Sequence, residues 1–227
     1  EVEEYNGTSW TEVTNMPTAT KHVMSGGILT AGWYGGGDES GDGTTLSNKC
    51  FEYDGTSWTA SGNLTEAKNA GCGTGTQTAA LITGGAPDPT SLNCMLYNGS
   101  SWTETANTAT SRLNTAACGN SSAAIVMGGY SPPAAAYTAK TESWNGTSWT
   151  EVNDMNVARS GAGCGGNGVA PSSSALYAGA YGVPSPTARN ETESWDGTSW
   201  SVVANLTTGR GSGGGAVSSN TVGLLFG

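Results

Sequence analysis

Apolar residues in this chain come in short bursts, and each burst closes on a pair of small residues. Leu81-Ile82-Thr83-Gly84-Gly85, Ile125-Val126-Met127-Gly128-Gly129 and Leu176-Tyr177-Ala178-Gly179-Ala180 share this form. A run of small residues precedes each one: Asn69-Ala70-Gly71-Cys72-Gly73, Thr115-Ala116-Ala117-Cys118-Gly119 and Ser160-Gly161-Ala162-Gly163-Cys164. A fourth such run, Gly211-Ser212-Gly213-Gly214-Gly215, stands near the end. Short apolar runs bounded by Gly and Pro read as buried strands. A variable Gly/Pro/Ser loop follows each doublet, at Pro87 to Pro89, Ser131 to Pro133 and Pro184 to Pro186.

A second pattern is interleaved with the first. Tyr5-Asn6-Gly7-Thr8-Ser9-Trp10 is repeated as Tyr53 to Trp58, Tyr97 to Trp102, Trp144 to Trp149 and Trp195 to Trp200, at spacings of 48, 44, 47 and 51 residues. Asn-Gly or Asp-Gly between aromatic residues predicts a β-hairpin, with a type I′ turn that needs positive φ at both central positions. Each unit then holds four short strands. Four strands every 40–50 residues is the pattern of a propeller blade. The predicted blades span about 14–61, 62–105, 106–152 and 153–203, with the fifth made from 204–227 plus 1–13. Gly and Ala suit an inner strand crowded around an axis, and Trp and Tyr fill the space between blades.

A Gly doublet after an apolar strand, followed by a spaced Tyr and Trp, resembles the kelch repeat over essentially the whole chain. The Asn-Gly-Thr-Ser-Trp motif is similar to repeats of phage-associated and environmental microbial kelch-like proteins. The resemblance implies a single all-β domain, a five-bladed kelch-like β-propeller with four-stranded blades. Five units and a short, Gly-rich inner strand depart from common kelch domains. Sheet edges must be closed or covered, so the N- and C-termini are expected to share the fifth blade in a 2+2 closure within one chain. The alternative is that 1–13 completes a neighbouring molecule's ring and builds a polymer.

Charge narrows the function classes. The chain has 227 residues, a net charge of −10, 36 Gly and only 11% charged residues, against about 25% in an average domain. This acidity argues against a nucleic-acid groove. No apolar run approaches the ~18 residues of a membrane span. Glu1 is not Met, which is expected of a chain processed or cut from a longer one.

Four features are candidates for chemistry. Lys21, Lys68, Arg112, Arg159 and Arg210 recur near the start of the inner strand and are expected around one mouth of the channel. In kelch domains basic residues at this place often line the partner-binding face, which implies a site for anions or acidic glycans; the other reading pairs each cation with an acid of its own blade or with loop carbonyls. Asn6, Asn63, Asn98, Asn120, Asn145, Asn190 and Asn205 begin Asn-x-Ser/Thr sequons and are candidates for glycosylation. Five cysteines suggest disulfides Cys50–Cys72 and Cys94–Cys118 with Cys164 left over, or small buried thiols. In this reading Cys72, Cys118 and Cys164 share one inner-strand position. The loop Gly37 to Gly43 offers carboxylates to calcium, but a solvated loop is the better reading, and no metal or cofactor is expected.

Catalysis finds no foothold. The single His22 excludes a copper oxidase with several His ligands and supports no Ser-His-Asp triad. Nothing selects two carboxylates for glycoside hydrolysis. The expected function is therefore non-enzymatic: a structural, self-associating subunit of an extracellular or virion assembly such as a fibre, filament or surface layer. The alternative is a glycan-binding, lectin- or adhesin-like module, whose hairpin aromatics such as Trp58 and Trp149 would have to be exposed; burial between blades is expected instead.

Overall fold

The computed structural model describes residues 1–87, 92–161, 172–182 and 187–226, with only the backbone of Val217 and Phe226. Every regular element in these residues is a β-strand. β1 (Glu3–Tyr5) and β2 (Trp10–Glu12) form a hairpin. β3 (Met24–Ile28), β4 (Ala31–Gly35), β5 (Cys50–Tyr53) and β6 (Trp58–Ala60) form the first four-stranded antiparallel sheet. β7 (Cys72–Thr76), β8 (Ala79–Thr83), β9 (Cys94–Tyr97) and β10 (Trp102–Thr105) form the second. The third contains β11 (Ala116–Asn120) and β12 (Ala123–Met127), then detours through the small hairpin β13 (Tyr130–Ser131) and β14 (Ala136–Tyr137). It resumes with β15 (Thr141–Trp144) and β16 (Trp149–Glu151). The fourth unit contains β17 (Arg159–Ser160), β18 (Ala175–Ala178), β19 (Tyr181–Gly182), β20 (Thr187–Ala188), β21 (Thr192–Trp195) and β22 (Trp200–Val203). There β18, β21 and β22 make the main sheet, and β17, β19 and β20 a side ribbon. β23 (Gly214–Ser219) and β24 (Val222–Phe226) end the chain as a hairpin. The expected inner strand of the fourth unit, with Ala162, Gly163 and Cys164, lies outside the described residues, as do Pro89, Pro184 and Pro186.

One register recurs. Gly32 faces Tyr53, Ala80 faces Tyr97, Ala124 faces Trp144 and Ala175 faces Trp195. A small residue opposite a large aromatic makes room for the ring on the same sheet face. The hairpin aromatics pair directly across each turn, as Tyr53 with Trp58 and Trp144 with Trp149. Four residues therefore lie inside each loop, which corrects the predicted two-residue type I′ turn. Only the Gly takes positive φ, at 91° for both Gly55 and Gly146. The preceding Asn or Asp acts through its side chain: Asn145 Oδ1 accepts from Thr147 N and Ser148 N, both at 2.9 Å, and Asp54 Oδ1 from Thr56 N and Ser57 N, both at 2.8 Å. These are Asx turns.

The core lies between sheets. Met24, Trp33 and Cys50 of the first unit pack with Leu64, Ile82, Met95, Tyr97 and Trp102 of the second. Leu81 and Cys94 of the second meet Ala124 and Trp144 of the third, and Cys118, Ile125 and Met127 of the third meet Tyr177, Trp195 and Trp200 of the fourth. Each sheet thus buries its apolar face only against the next, the energetic logic of a repeat fold.

The small doublet fastens neighbouring units. Gly37 N donates to Lys68 O at 2.8 Å, Gly85 N to Arg112 O at 2.9 Å, Gly129 N to Arg159 O at 2.8 Å and Ala180 N to Arg210 O at 2.7 Å. The preceding glycine must have no side chain, because a Cβ on Gly84 would sit 2.7 Å from Arg112 O and one on Gly36 2.3 Å from Lys68 O. Both doublet residues take positive φ, 72° at Gly84 and 98° at Gly85, a conformation that favours glycine.

The terminal hairpins stand as two separate ribbons, with no ladder between β24 and β1 among the described residues. Each is anchored to a flank. Trp58 Nε1 donates to Thr14 O at 3.0 Å, and Asn220 N donates to Ser174 Oγ at 2.6 Å.

Candidate functional site

Three of the five recurring cations present no charge at the surface. Lys68, Arg112 and Arg159 are fully buried. Arg112 Nη1 donates to Gly128 O at 2.9 Å and Lys140 O at 2.7 Å, while Nη2 meets Glu142 Oε1 at 2.7 Å. Arg159 repeats the arrangement on Gly179 O, Glu191 O and Glu193 Oε1 at 3.1, 2.7 and 2.6 Å. The guanidinium is therefore an internal clamp that joins the doublet carbonyl to the strand that leads into the hairpin of its own unit. Glu142 in turn accepts from Ala109 N and Thr110 N, and Glu193 from Asn156 N and Val157 N. Buried charges survive when paired and hydrogen-bonded in this way.

The alternative reading, an acid of its own blade and loop carbonyls, describes Arg112 and Arg159; it named no acid, although the sequence carried a signal for which one. Thr141-Glu142-Ser143-Trp144 and Thr192-Glu193-Ser194-Trp195 occur in the two units whose cation is Arg and whose acid stands two before the aromatic. In the second unit that place is Met95 and the cation is Lys68. Lys68 Nζ donates to Asn93 O at 3.1 Å, and burial lowers its pKa below the ordinary lysine range. Lys21 is one residue out of register. It bridges Asp38 as Asn69 bridges Ala86 and Leu113 bridges Tyr130, so Thr20 holds the clamp position. The Lys21 ammonium is half-exposed and lies 3.8 Å from Asp38. Arg210 is partly buried, and among the described residues no carboxylate pairs with it.

Backbone two residues beyond the clamp, by contrast, does converge. His22, Ala70, Asn114, Gly161, Tyr181 and Ser212, drawn from five repeat units, line one cavity of about 320 Å³. Ala70 N donates to His22 O, Asn114 N to Ala70 O and Gly161 N to Asn114 O, at 3.0, 2.7 and 2.9 Å. His22, Ala70 and Asn114 hold left-handed φ of 57°, 56° and 49° to make these links. Left-handed backbone at non-glycine residues costs about 1–2 kcal/mol each. The interunit bonds, with the flanking packing, hold it in place. Among the described residues the cavity wall contains no carboxylate or ammonium, and Tyr181 is 37% exposed in it.

Cys50, Cys72, Cys94 and Cys118 are separate buried thiols, so the expected pairs Cys50–Cys72 and Cys94–Cys118 are not formed. Strand register explains why. Cys72 faces Thr83 on β8 and Cys118 faces Ile125 on β12, so these two do not share one inner-strand position, Cys118 standing two residues further along. Cys50 begins β5, in the sheet before that of Cys72, and Cys94 begins β9, in the sheet before that of Cys118. Burial pushes the Cys50 and Cys118 thiols up to about 12, and thiols of that kind are inert.

The remaining candidates sort by exposure. Asp38 is buried, and its carboxylate accepts from Ser40, Gly41 and Gly43. The acidic loop is thereby a closed turn, and no group of three His, Cys, Asp or Glu side chains able to hold a metal occurs among the described residues. Asn6, Asn98, Asn120 and Asn145 are exposed but use Oδ1 within their turns. Asn190 is half-buried and donates to Leu206 O. Asn63 and Asn205 are exposed at equivalent places beside Leu64 and Leu206. Of the hairpin aromatics, Trp102, Trp144, Trp195 and Trp200 are buried. Trp58 and Trp149 are half-buried, each with its indole N–H on a carbonyl just after the preceding hairpin, Thr14 O and Ala106 O.

No family model matches the chain. No curated protein matches it either. Among solved structures, one described as the structure of YjhT is similar over 94% of this chain and 79% of its own, with a TM-score of 0.74 and 14% identity. At that identity the likeness concerns the fold alone. No helix among the described residues is long and apolar enough to cross a membrane.

Proposed function

We propose that the chain is a five-bladed, kelch-like β-propeller that serves as a non-enzymatic, self-associating subunit of an extracellular or virion assembly. One observation carries this reading. The clamp groups of the third and fourth units, Arg112 with Glu142 and Arg159 with Glu193, are consumed inside the fold, while apolar side chains are left outside on β22, where Val202 is 61% and Val203 39% exposed. Exposed apolar surface of this kind marks interaction sites, and 11% charged residues offer little repulsion against it. Sedimentation velocity over a wide concentration range tests the reading. Concentration-dependent oligomers are expected, and a monomer at every concentration overturns it.

A second reading, glycan binding, has one observation in its favour: a cavity whose described wall holds no carboxylate or ammonium, with the Tyr181 ring at its edge. A tyrosine face suits a sugar ring, and the surrounding amide and hydroxyl groups suit its hydroxyls. The hairpin aromatics speak against their use as further sugar platforms, being buried or committed to neighbouring carbonyls. A glycan array on the purified protein, repeated with Tyr181→Ala, decides this reading; no bound glycan removes it.

A further inference from the structure

The two terminal hairpins are complementary halves of the repeat, and groups next to them mark how they fit. By register, Gly223 holds the place of Ala80, Ala124 and Ala175, and Leu224 that of Leu81 and Ile125. Leu224 is 41% exposed, whereas Leu81 and Ile125 are 0% and 1%. Tyr5 holds the place of Tyr53 and Tyr97, so Glu3 holds that of Glu142 and Glu193. Arg210, four residues before β23 begins, holds that of Arg112, four before β11. Arg210 is thus a clamp without its acid, and Glu3 an acid without its clamp.

A second orphan points to the same hairpin. Thr192 is 6% exposed, and its Oγ1 has no hydrogen-bond partner. The equivalent Thr141 Oγ1 accepts the indole N–H of Trp200, the outer tryptophan of the next unit, at 3.1 Å. Trp102 and Trp149 stand near the corresponding thiols of Cys50 and Cys94, Trp102 Nε1 without a hydrogen-bond partner and Trp149 Nε1 on Ala106 O. The outer tryptophan of the unit after Thr192 is Trp10.

We infer that the N-terminal hairpin of the same chain latches onto the C-terminal one, through Glu3 on Arg210 and Trp10 Nε1 on Thr192 Oγ1. β1 then pairs antiparallel with β24, Tyr5 opposite Gly223 and Glu3 opposite Leu225. The inference rests on the five-bladed reading above and adds the residues that hold it. The occupant is the chain's own hairpin because that hairpin already sits on the correct flank of the first unit. Trp58 Nε1 reaches Thr14 O at 3.0 Å as Trp149 Nε1 reaches Ala106 O at 3.1 Å. Glu4 lies near the Tyr53 hydroxyl, which makes no hydrogen bond, at the place where Glu52 accepts from Tyr97 at 2.7 Å. The C-terminal ribbon is seated on the fourth unit through Asn220 and Ser174. One step, β24 to β1, joins them.

The test pairs a crosslink with a charge exchange on the full chain. In Glu4→Cys/Leu224→Cys the new thiols face each other across β1 and β24. Oxidation should give a crosslinked monomer on a non-reducing gel, absent from each single variant. Crosslinked dimers alone, or no crosslink, overturn the inference. Glu3→Arg and Arg210→Glu should each lower the melting temperature, and the double exchange should recover most of the loss; two losses that merely add overturn the latch. Sedimentation of the crosslinked monomer separates this inference from the proposed function. A crosslinked monomer that never associates sinks the structural reading and leaves the latch standing.

Discussion

Arg112 and Lys68 occupy the same place in neighbouring units, yet their surroundings oppose one another. Arg112 is buried against Glu142 and two carbonyls, so removing its charge strands a buried carboxylate. Breaking one partner of such a pair costs about 3–5 kcal/mol. Arg112→Met should lower unfolding stability by that order in a urea titration. Lys68 faces Met95 in the acid position and makes its described hydrogen bond to Asn93 O. Losing that bond costs about 0.5–1.5 kcal/mol, and relief of ammonium desolvation offsets it, so Lys68→Met should be nearly neutral. The two also differ in pH response. Burial lowers the Lys68 pKa in the folded state below 10.5. The unfolded chain therefore binds more protons in the window between the lowered value and 10.5, and stability rises with pH there. Lys68→Met should flatten that rise, read from urea midpoints across alkaline pH; an unchanged slope contradicts the assignment.

Hairpins and inner strands carry the next level of instruction. Asp54 and Asp196 hold their turns with carboxylates that accept from Ser57 N and Thr56 N, and from Ser199 N and Thr198 N; those amide bonds lower both pKa values. Their contribution is complete above the ordinary carboxylate range and is lost as pH falls through the depressed folded values. Asp54→Asn/Asp196→Asn copies the neutral turns at Asn98 and Asn145 and should lose less stability on acidification than the parent, as urea midpoints would show. In the inner strands, Gly119 has φ 115°, and a Cβ there would lie 2.2 Å from Ala123 O. Gly119→Ala should cost about 2 kcal/mol or more, whereas Ala180→Gly, at φ 90°, should gain about 1 kcal/mol. Strand order, hairpin position and the small doublets were legible from the sequence, because the repeat shows each choice several times over. The turn type was misjudged because Asn-Gly carries two signals, backbone φ and a side-chain acceptor, and the second decides here. The clamp was half legible: cations stand out in a chain poor in charge, while their acids sit some thirty residues later and meet them only through the sheet register. The cavity was not legible at all, since His22, Ala70 and Asn114 share a backbone conformation and no chemistry.

At the scale of the molecule, charge and exposed apolar surface act against each other. The net charge is −10 at pH 7 and the isoelectric point is about 4.3. With the recurring cations of the second, third and fourth units buried, the negative charge is carried mainly at the surface, where it opposes association at neutral pH. That repulsion fades as pH approaches 4.3. It does not collapse early, because hydrogen bonds from Ser40 and Thr44 hold Asp42 down to about 2 and turn amides keep Asp54 and Asp196 ionised below the ordinary range. Self-association through β22 should therefore strengthen steadily between pH 8 and the isoelectric point. Added salt at neutral pH should act in the same direction, since surface charges further apart than about 10 Å are screened at 0.1 M. Val202→Glu adds charge on the exposed apolar stretch and should shift the sedimentation midpoint to higher concentration at every pH, with little change in melting temperature. If association instead weakens towards pH 4.3, or Val202→Glu leaves it untouched, contacts between copies are made by ionic groups elsewhere and not by the apolar side chains of β22.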